Sequence, residues 1–134
     1  MGAVGAKKEI ADAFKPGDHG STFGGSCLAI AACAATLSAL VRGDYADHAT
    51  KVGAYMEAKL AKLPHVTEVR GRGLMLGCDL DDAAGDAHDV VARALAAGAV
   101  INATGAHTLR FLPPLVCEEA DVDSLIEILS GVLG

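Results

Sequence analysis

At 134 residues and 51% hydrophobic content, the chain is long enough for one modest core and too apolar for extended disorder. Its 17 acidic against 11 basic residues, net charge of −6 and lack of a basic run argue against nucleic acid and anionic membrane as partners; small molecules and proteins remain. Aromatic residues make up 4% with no Trp, beside many Ala and Gly, which implies a core of small side chains in which helices approach closely.

In chain order, Met1-Gly2-Ala3-Val4-Gly5 carries no helix start signal and reads as the middle of a strand or loop. Residues 6 to 14 follow as a short helix, with Ile10, Ala13 and Phe14 on one side and Lys7, Lys8 and Glu9 on the other, ended by Lys15-Pro16-Gly17-Asp18. His19-Gly20-Ser21-Thr22-Phe23-Gly24-Gly25-Ser26-Cys27 then combines hydroxyls, flexible backbone and a helix start. Gly24 and Gly25 let the backbone approach a ligand, Ser26 can cap the next helix, and exposed helix N–H groups attract negative charge, so a phosphate is the natural guest. A plain structural turn is the other reading.

Residues 27 to 42 are almost wholly apolar and predict a helix that needs cover on every side. The run from Cys27 to Val41 is about fifteen residues, short of the roughly 20 that a membrane helix needs, so a buried helix of a soluble protein is expected. Gly43 stops it. Asp44 with Asp47 resembles a capping box, and Tyr45, Ala49, Val52, Met56, Leu60 and Leu63 place a half-exposed helix up to Pro64. From Val66 the period changes to two. Strands Val66 to Arg70 and Leu74 to Leu80 are joined by a tight turn at Gly71-Arg72-Gly73, where no helix begins and no dinucleotide loop is expected. Asp81 to Gly85 is a polar turn. A helix over 87–97 ends at Gly98, strands follow at Ala99 to Asn102 and Thr108 to Leu112, and a last helix covers 119–130. The expected fold class is α+β, a small, mostly antiparallel sheet covered by helices.

Cys27, Cys33, Cys78 and Cys117 show no C-x-x-C spacing and read as reduced cysteines of a cytosolic protein; with no charged-then-apolar leader, a cytoplasmic location is expected. The five histidines, His19, His48, His65, His88 and His107, lack metal-ligand spacing, and the acidic cluster Asp79, Asp81, Asp82 and Asp86 lacks the calcium-loop pattern, so no metal site is expected. His19 suits a loop-orienting role. Arg110, between Leu109 and Phe111, either meets a carboxylate or phosphate or points to solvent on the open face of the sheet.

The segments His19 to Gly25, Glu68 to Met75, and Val100 to Thr104 with Leu109 to Leu115 resemble, in this order, the C-terminal part of class III, PLP-dependent aminotransferases. Ile101-Asn102-Ala103-Thr104 and Arg110-Phe111-Leu112-Pro113-Pro114 favour the acetylornithine or succinylornithine branch over the ornithine or 4-aminobutyrate relatives. It implies the C-terminal domain of a fold-type I PLP enzyme: residues 1–25 would join the large PLP domain and carry the phosphate-contacting loop, and 26–134 would form the small domain. The activity implied is amino transfer between an amino acid and a 2-oxo acid, in arginine biosynthesis, by a homodimer with its active site at the subunit interface. Thr22 would be the direct ligand of the PLP phosphate bound by the neighbouring subunit, with Ser21 near it, and Arg110 would face the active-site entrance, paired with a glutamate of the large domain or a substrate carboxylate. Where the family usually continues with Asn-Pro, this chain has Ser26-Cys27, which keeps a cap but loses proline's preorganisation. None of Lys7, Lys8, Lys15, Lys51, Lys59 or Lys62 stands in the context of the family's catalytic lysine, and the large domain that packs on the small one is missing. The chain alone is therefore expected to be inactive, without covalently bound PLP, and to expose apolar surface. The alternatives are another class III aminotransferase, acting on succinylornithine, ornithine or 4-aminobutyrate, and a non-enzymatic module binding a small anion or a partner.

Overall fold

The computed structural model describes residue 2 and residues 4–134. The opening stretch read as strand or loop includes Met1 and Ala3, which lie outside the described residues. The chain divides into two compact units, Met1–Asp44 and Tyr45–Gly134.

The first unit holds two helices, α1 (Lys8–Ala11) and α2 (Cys27–Arg42). The expected helix over 6–14 shrinks to four residues because none of them is buried and so short a helix gains nothing from packing. Beyond it, the amides of Ala13 and Phe14 make only turn bonds, to the carbonyls of Ile10 and Ala11. α2 has the predicted bounds. Ser26 takes an extended backbone and its hydroxyl accepts from the Ala29 amide at 3.4 Å, while Gly43 closes the helix in an extended conformation, donating to the Ala39 carbonyl at 2.9 Å. Within its unit α2 buries none of its residues; Leu28 and Val41 are 82% and 85% exposed. The cover that its composition calls for is not supplied there. Among the described residues no single helix is long and apolar enough to cross a membrane.

The second unit is an antiparallel sheet with helices on one face. Helix α3 (Tyr45–Leu60) precedes β1 (Val66–Arg72) and β2 (Met75–Leu80); a 3-10 turn (Asp82–Ala84), α4 (Ala87–Ala96), β3 (Asn102–Ala103), β4 (Thr108–Phe111) and α5 (Glu119–Leu133) follow. The strand order is β1-β2-β4-β3, with every pairing antiparallel. Met56 and Leu60 of α3, Leu76 and Cys78 of β2, Val90 of α4, Leu109 of β4, and Val122 and Leu129 of α5 are all but fully buried. Each large aliphatic side chain among them contributes about 1.5 to 3 kcal/mol by leaving water.

Two boundaries differ from expectation. β1 runs on through Gly71 and Arg72, so the hairpin loop is only Gly73-Leu74, with Gly73 at φ +56, the glycine-first form of a two-residue loop. A Cβ at Gly71 would lie 2.0 Å from the Met75 carbonyl oxygen, so this glycine serves close strand pairing rather than a turn. The strand expected over Ala99 to Asn102 is shorter and begins later, at Asn102–Ala103, because Ala99 still belongs to the end of α4: its amide reaches back to the Ala94 carbonyl at 2.8 Å, past Gly98 at φ +102.

Candidate functional site

The glycine-rich segment in the first unit forms a turn built by its own hydroxyls. Ser21 Oγ accepts from the Gly24 amide at 3.0 Å, the Ser26 amide donates to the Phe23 carbonyl at 3.4 Å, and Ser26 caps α2. Ser21 is thereby engaged as a turn acceptor. Thr22 is exposed, and among the described residues its hydroxyl has no hydrogen-bond partner. Gly25 sits at φ +76 with nothing within 4 Å of where a Cβ would stand, so the backbone is open to close approach there. A free hydroxyl, an open glycine backbone and the start of a 16-residue helix are features that suit a phosphate group. His19 lies beside Phe14, their ring centroids 5.6 Å apart.

Arg110 belongs to the second unit, on the sheet face away from the helices. The register aligns Arg70 of β1, Gly77 of β2, Arg110 of β4 and Asn102 of β3 in one row. Period two carries Glu68, Asp79 and Thr108 onto the same face on one side of that row, and Arg72 with Met75 on the other. Their neighbours Val69, Leu76, Cys78, Leu109 and Phe111 point into the core. Arg70 makes a two-pronged ion pair with Asp79, NH2 donating to Oδ1 at 3.0 Å and NH1 donating to Oδ2, and lies 3.8 Å from Glu68. Thr108 Oγ1 donates to Asp79 Oδ1 at 2.7 Å. Arg70's hydrogen bond, then that of Thr108, holds the Asp79 carboxyl below its usual value, and the same pairing raises Arg70. Among the described residues no carboxylate lies within 4 Å of Arg72 or Arg110. With Gly77, Thr104, Met75 and Leu76 the three arginines line a recess of about 480 Å³.

A second recess of about 540 Å³, bounded by β4 and α5, is lined mainly by apolar residues including Met56, Phe111, Val122 and Leu125. Asp121 at its margin is occupied in capping α5, accepting from the Glu118 amide at 2.9 Å. Thus Ser21 and Thr22 come together with Gly24, Gly25 and Ser26 in one unit, and Arg110 comes together with Arg70 and Arg72 in the other. Sequence reasoning misses the place of Arg72 on this face and the pairing of Asp79 with Arg70: flanking glycines put Arg72 in a turn, and Asp79 falls in the acidic cluster. The alternation Glu68, Arg70, Arg72 opposite Val69 is the signal that could place Arg72 on the strand.

The family model for aminotransferase class III matches residues 1–133. The chain is 42% identical, over 99% of its own length, to an acetylornithine aminotransferase of Caldanaerobacter subterraneus subsp. tengcongensis, of which it covers 34%. Among solved structures, the ornithine aminotransferase of Toxoplasma gondii, described with partial occupancy of PLP at its active site, superposes with a TM-score of 0.79 at 34% identity, covering 93% of this chain and 30% of that one. The acetylornithine aminotransferase of Elizabethkingia anophelis gives 0.78 at 28% identity, covering 96% and 33%. The α+β fold is therefore that of the corresponding part of fold-type I aminotransferases, and the chain spans about a third of the length of the curated relatives it matches.

Proposed function

This chain belongs to the class III aminotransferase family, and from that premise we propose that it is the C-terminal portion of an acetylornithine aminotransferase. The observation that carries this reading is the match of nearly the whole chain to an enzyme of that name. In the complete homodimer, amino groups would move between N-acetylornithine and 2-oxoglutarate, the step of arginine biosynthesis that the family resemblance implies. PLP, when bound, supplies an electron sink for carbanion chemistry. What this chain supplies is binding and orientation. The free Thr22 hydroxyl would donate to the cofactor phosphate of the neighbouring subunit, while Ser21 holds the turn through the Gly24 amide. The open backbone at Gly25 leaves room for the phosphate, and the α2 N-terminus adds its positive dipole end. Arg110, exposed and without an acidic partner among the described residues, would pair at the active-site entrance with a glutamate of the large domain or a substrate carboxylate. The catalytic lysine would come from the part of the enzyme outside this chain, so the chain alone would be inactive, and a cytoplasmic location follows from the same reading. Ornithine as amino donor is the second reading, favoured by the likeness to the Toxoplasma structure.

A hydrogen bond to a charged phosphate is worth about 1.5 to 3 kcal/mol. With this chain joined to the N-terminal two thirds of the Caldanaerobacter relative, Thr22→Val should weaken PLP retention by roughly tenfold to a hundredfold. Because the contact would cross the interface, a mixed dimer should recover activity when a Thr22→Val subunit meets a subunit lacking the catalytic lysine. The lysine of the first and the threonine of the second then complete one site. If no mixture exceeds the parent variants, Thr22 does not act across the interface.

A further inference from the structure

We propose that Asp79 is a positioning residue of the complete enzyme: by tethering the Arg70 guanidinium it keeps a second cation away from the carboxylate that Arg110 meets, so that one arginine holds that group and lets it go. The inference rests on the transaminase reading of Arg110 and adds to it what sets the charge beside that arginine.

Arg70 and Arg110 flank Gly77 on its two neighbouring strands and rise from the same face of the sheet. Two strand spacings put their backbones about 10 Å apart, and glycine puts no side chain between them. The Arg70 stem already leans along this gap, since its Cγ lies 3.8 Å from where a Cβ on Gly77 would stand. What turns the guanidinium away is the next pair along the ladder. Asp79 accepts both prongs of the Arg70 fork, and Thr108 Oγ1 donates to Asp79 Oδ1 at 2.7 Å, which fixes the carboxylate from the β4 side. Glu68, the other acid beside Arg70, lies 3.8 Å away and is 62% exposed, so it is a weak substitute. An arginine freed from Asp79 can turn across Gly77, where a carboxylate held by Arg110 attracts it. Guanidinium forks bind carboxylates through paired hydrogen bonds, so a second fork tightens the hold. If that carboxylate is the substrate's, binding tightens directly; if it is a glutamate of the large domain, Arg70 takes the glutamate over and leaves Arg110 to the substrate. In both cases KM falls, and a group held more tightly leaves more slowly, so kcat falls with it.

With this chain joined to the N-terminal two thirds of the Caldanaerobacter relative, Asp79→Asn should lower the KM for N-acetylornithine by about two- to fivefold and lower kcat as well. Asp79→Glu, which restores a carboxylate, should return both towards the parent values. Asp79→Asn combined with Arg70→Gln should do the same, because the released cation is then gone; damage to packing alone would not be cured by a second substitution. A KM that is level or raised in Asp79→Asn, or that stays lowered when Arg70 is also replaced, would overturn the proposal. Failure of the transaminase reading looks different, as a joined parent enzyme without activity, and the tether is then read on the chain alone from the rate at which phenylglyoxal modifies each arginine. In the parent chain Arg70 should react more slowly than Arg72, which is exposed and has no carboxylate within 4 Å among the described residues. In Asp79→Asn the two should react alike. An Arg70 rate that the substitution leaves unchanged would overturn the proposal whatever the activity.

Discussion

Asp79 shows how one side chain organises a surface whose other members stay free. It takes the Arg70 fork and the Thr108 hydroxyl, and both hold its carboxyl below the usual value of 3.8. A lowered folded-state value means that the carboxylate adds stability above its unfolded value, near pH 4, and that this is lost as pH falls through the lowered folded value. Asp79→Asn should therefore be less stable than the parent chain near neutral pH, by a modest amount because the pair is half exposed. The gap between their urea midpoints should narrow as the pH falls below about 4. A gap independent of pH would show that the pair contributes nothing through its charge. At this scale the sequence left Arg110 between two readings, since alternation gives a strand residue a face but not its neighbours across the ladder. Arg72 was lost for a simpler reason: flanked by two glycines, it looked like turn, and only the Arg72–Met75 pairing shows it to be strand.

Between elements, the closest approach is that of α3 to the hairpin loop. A Cβ on Gly53 would lie 2.1 Å from the Gly73 carbonyl oxygen, so helix and loop meet backbone to backbone. Gly53→Ala cannot be accommodated by a side-chain rotation, because the obstructing atoms are main chain. It should destabilise the second unit by about 3 kcal/mol, at the upper end of overpacking costs, read as a lower urea midpoint; an unchanged midpoint would mean that the contact yields freely. α2 was legible to the residue, because Ser26 and Gly43 mark its ends and nothing between them breaks the helix. The β3 boundary was not legible, since whether Ala99 closes α4 or opens a strand depends on its amide reaching Ala94 past Gly98. The helix expected over 6–14 shrank for want of packing: its apolar positions Ile10 and Phe14 remain 60% and 58% exposed, and propensity alone does not hold two turns.

For the whole molecule, the core of the second unit accounts for its own burial, while α2 presents an apolar surface that its own unit does not cover. A chain that spans a third of its relatives and carries such a helix fits the reading that it works joined to a larger partner domain. The family was legible from three separated motifs because each has a local backbone requirement: a glycine turn before a helix, a glycine-tight hairpin, and a strand stopped by two prolines. On the proposed reading, the amino donor would be set by a site that those motifs help to build. The most direct measurement is therefore transamination by this chain joined to the N-terminal two thirds of the Caldanaerobacter relative, with N-acetylornithine and with ornithine as donors to 2-oxoglutarate. The account predicts a PLP-binding dimer with a higher kcat/KM for N-acetylornithine than for ornithine. A dimer that binds PLP but prefers ornithine, or transfers from neither donor, would contradict it.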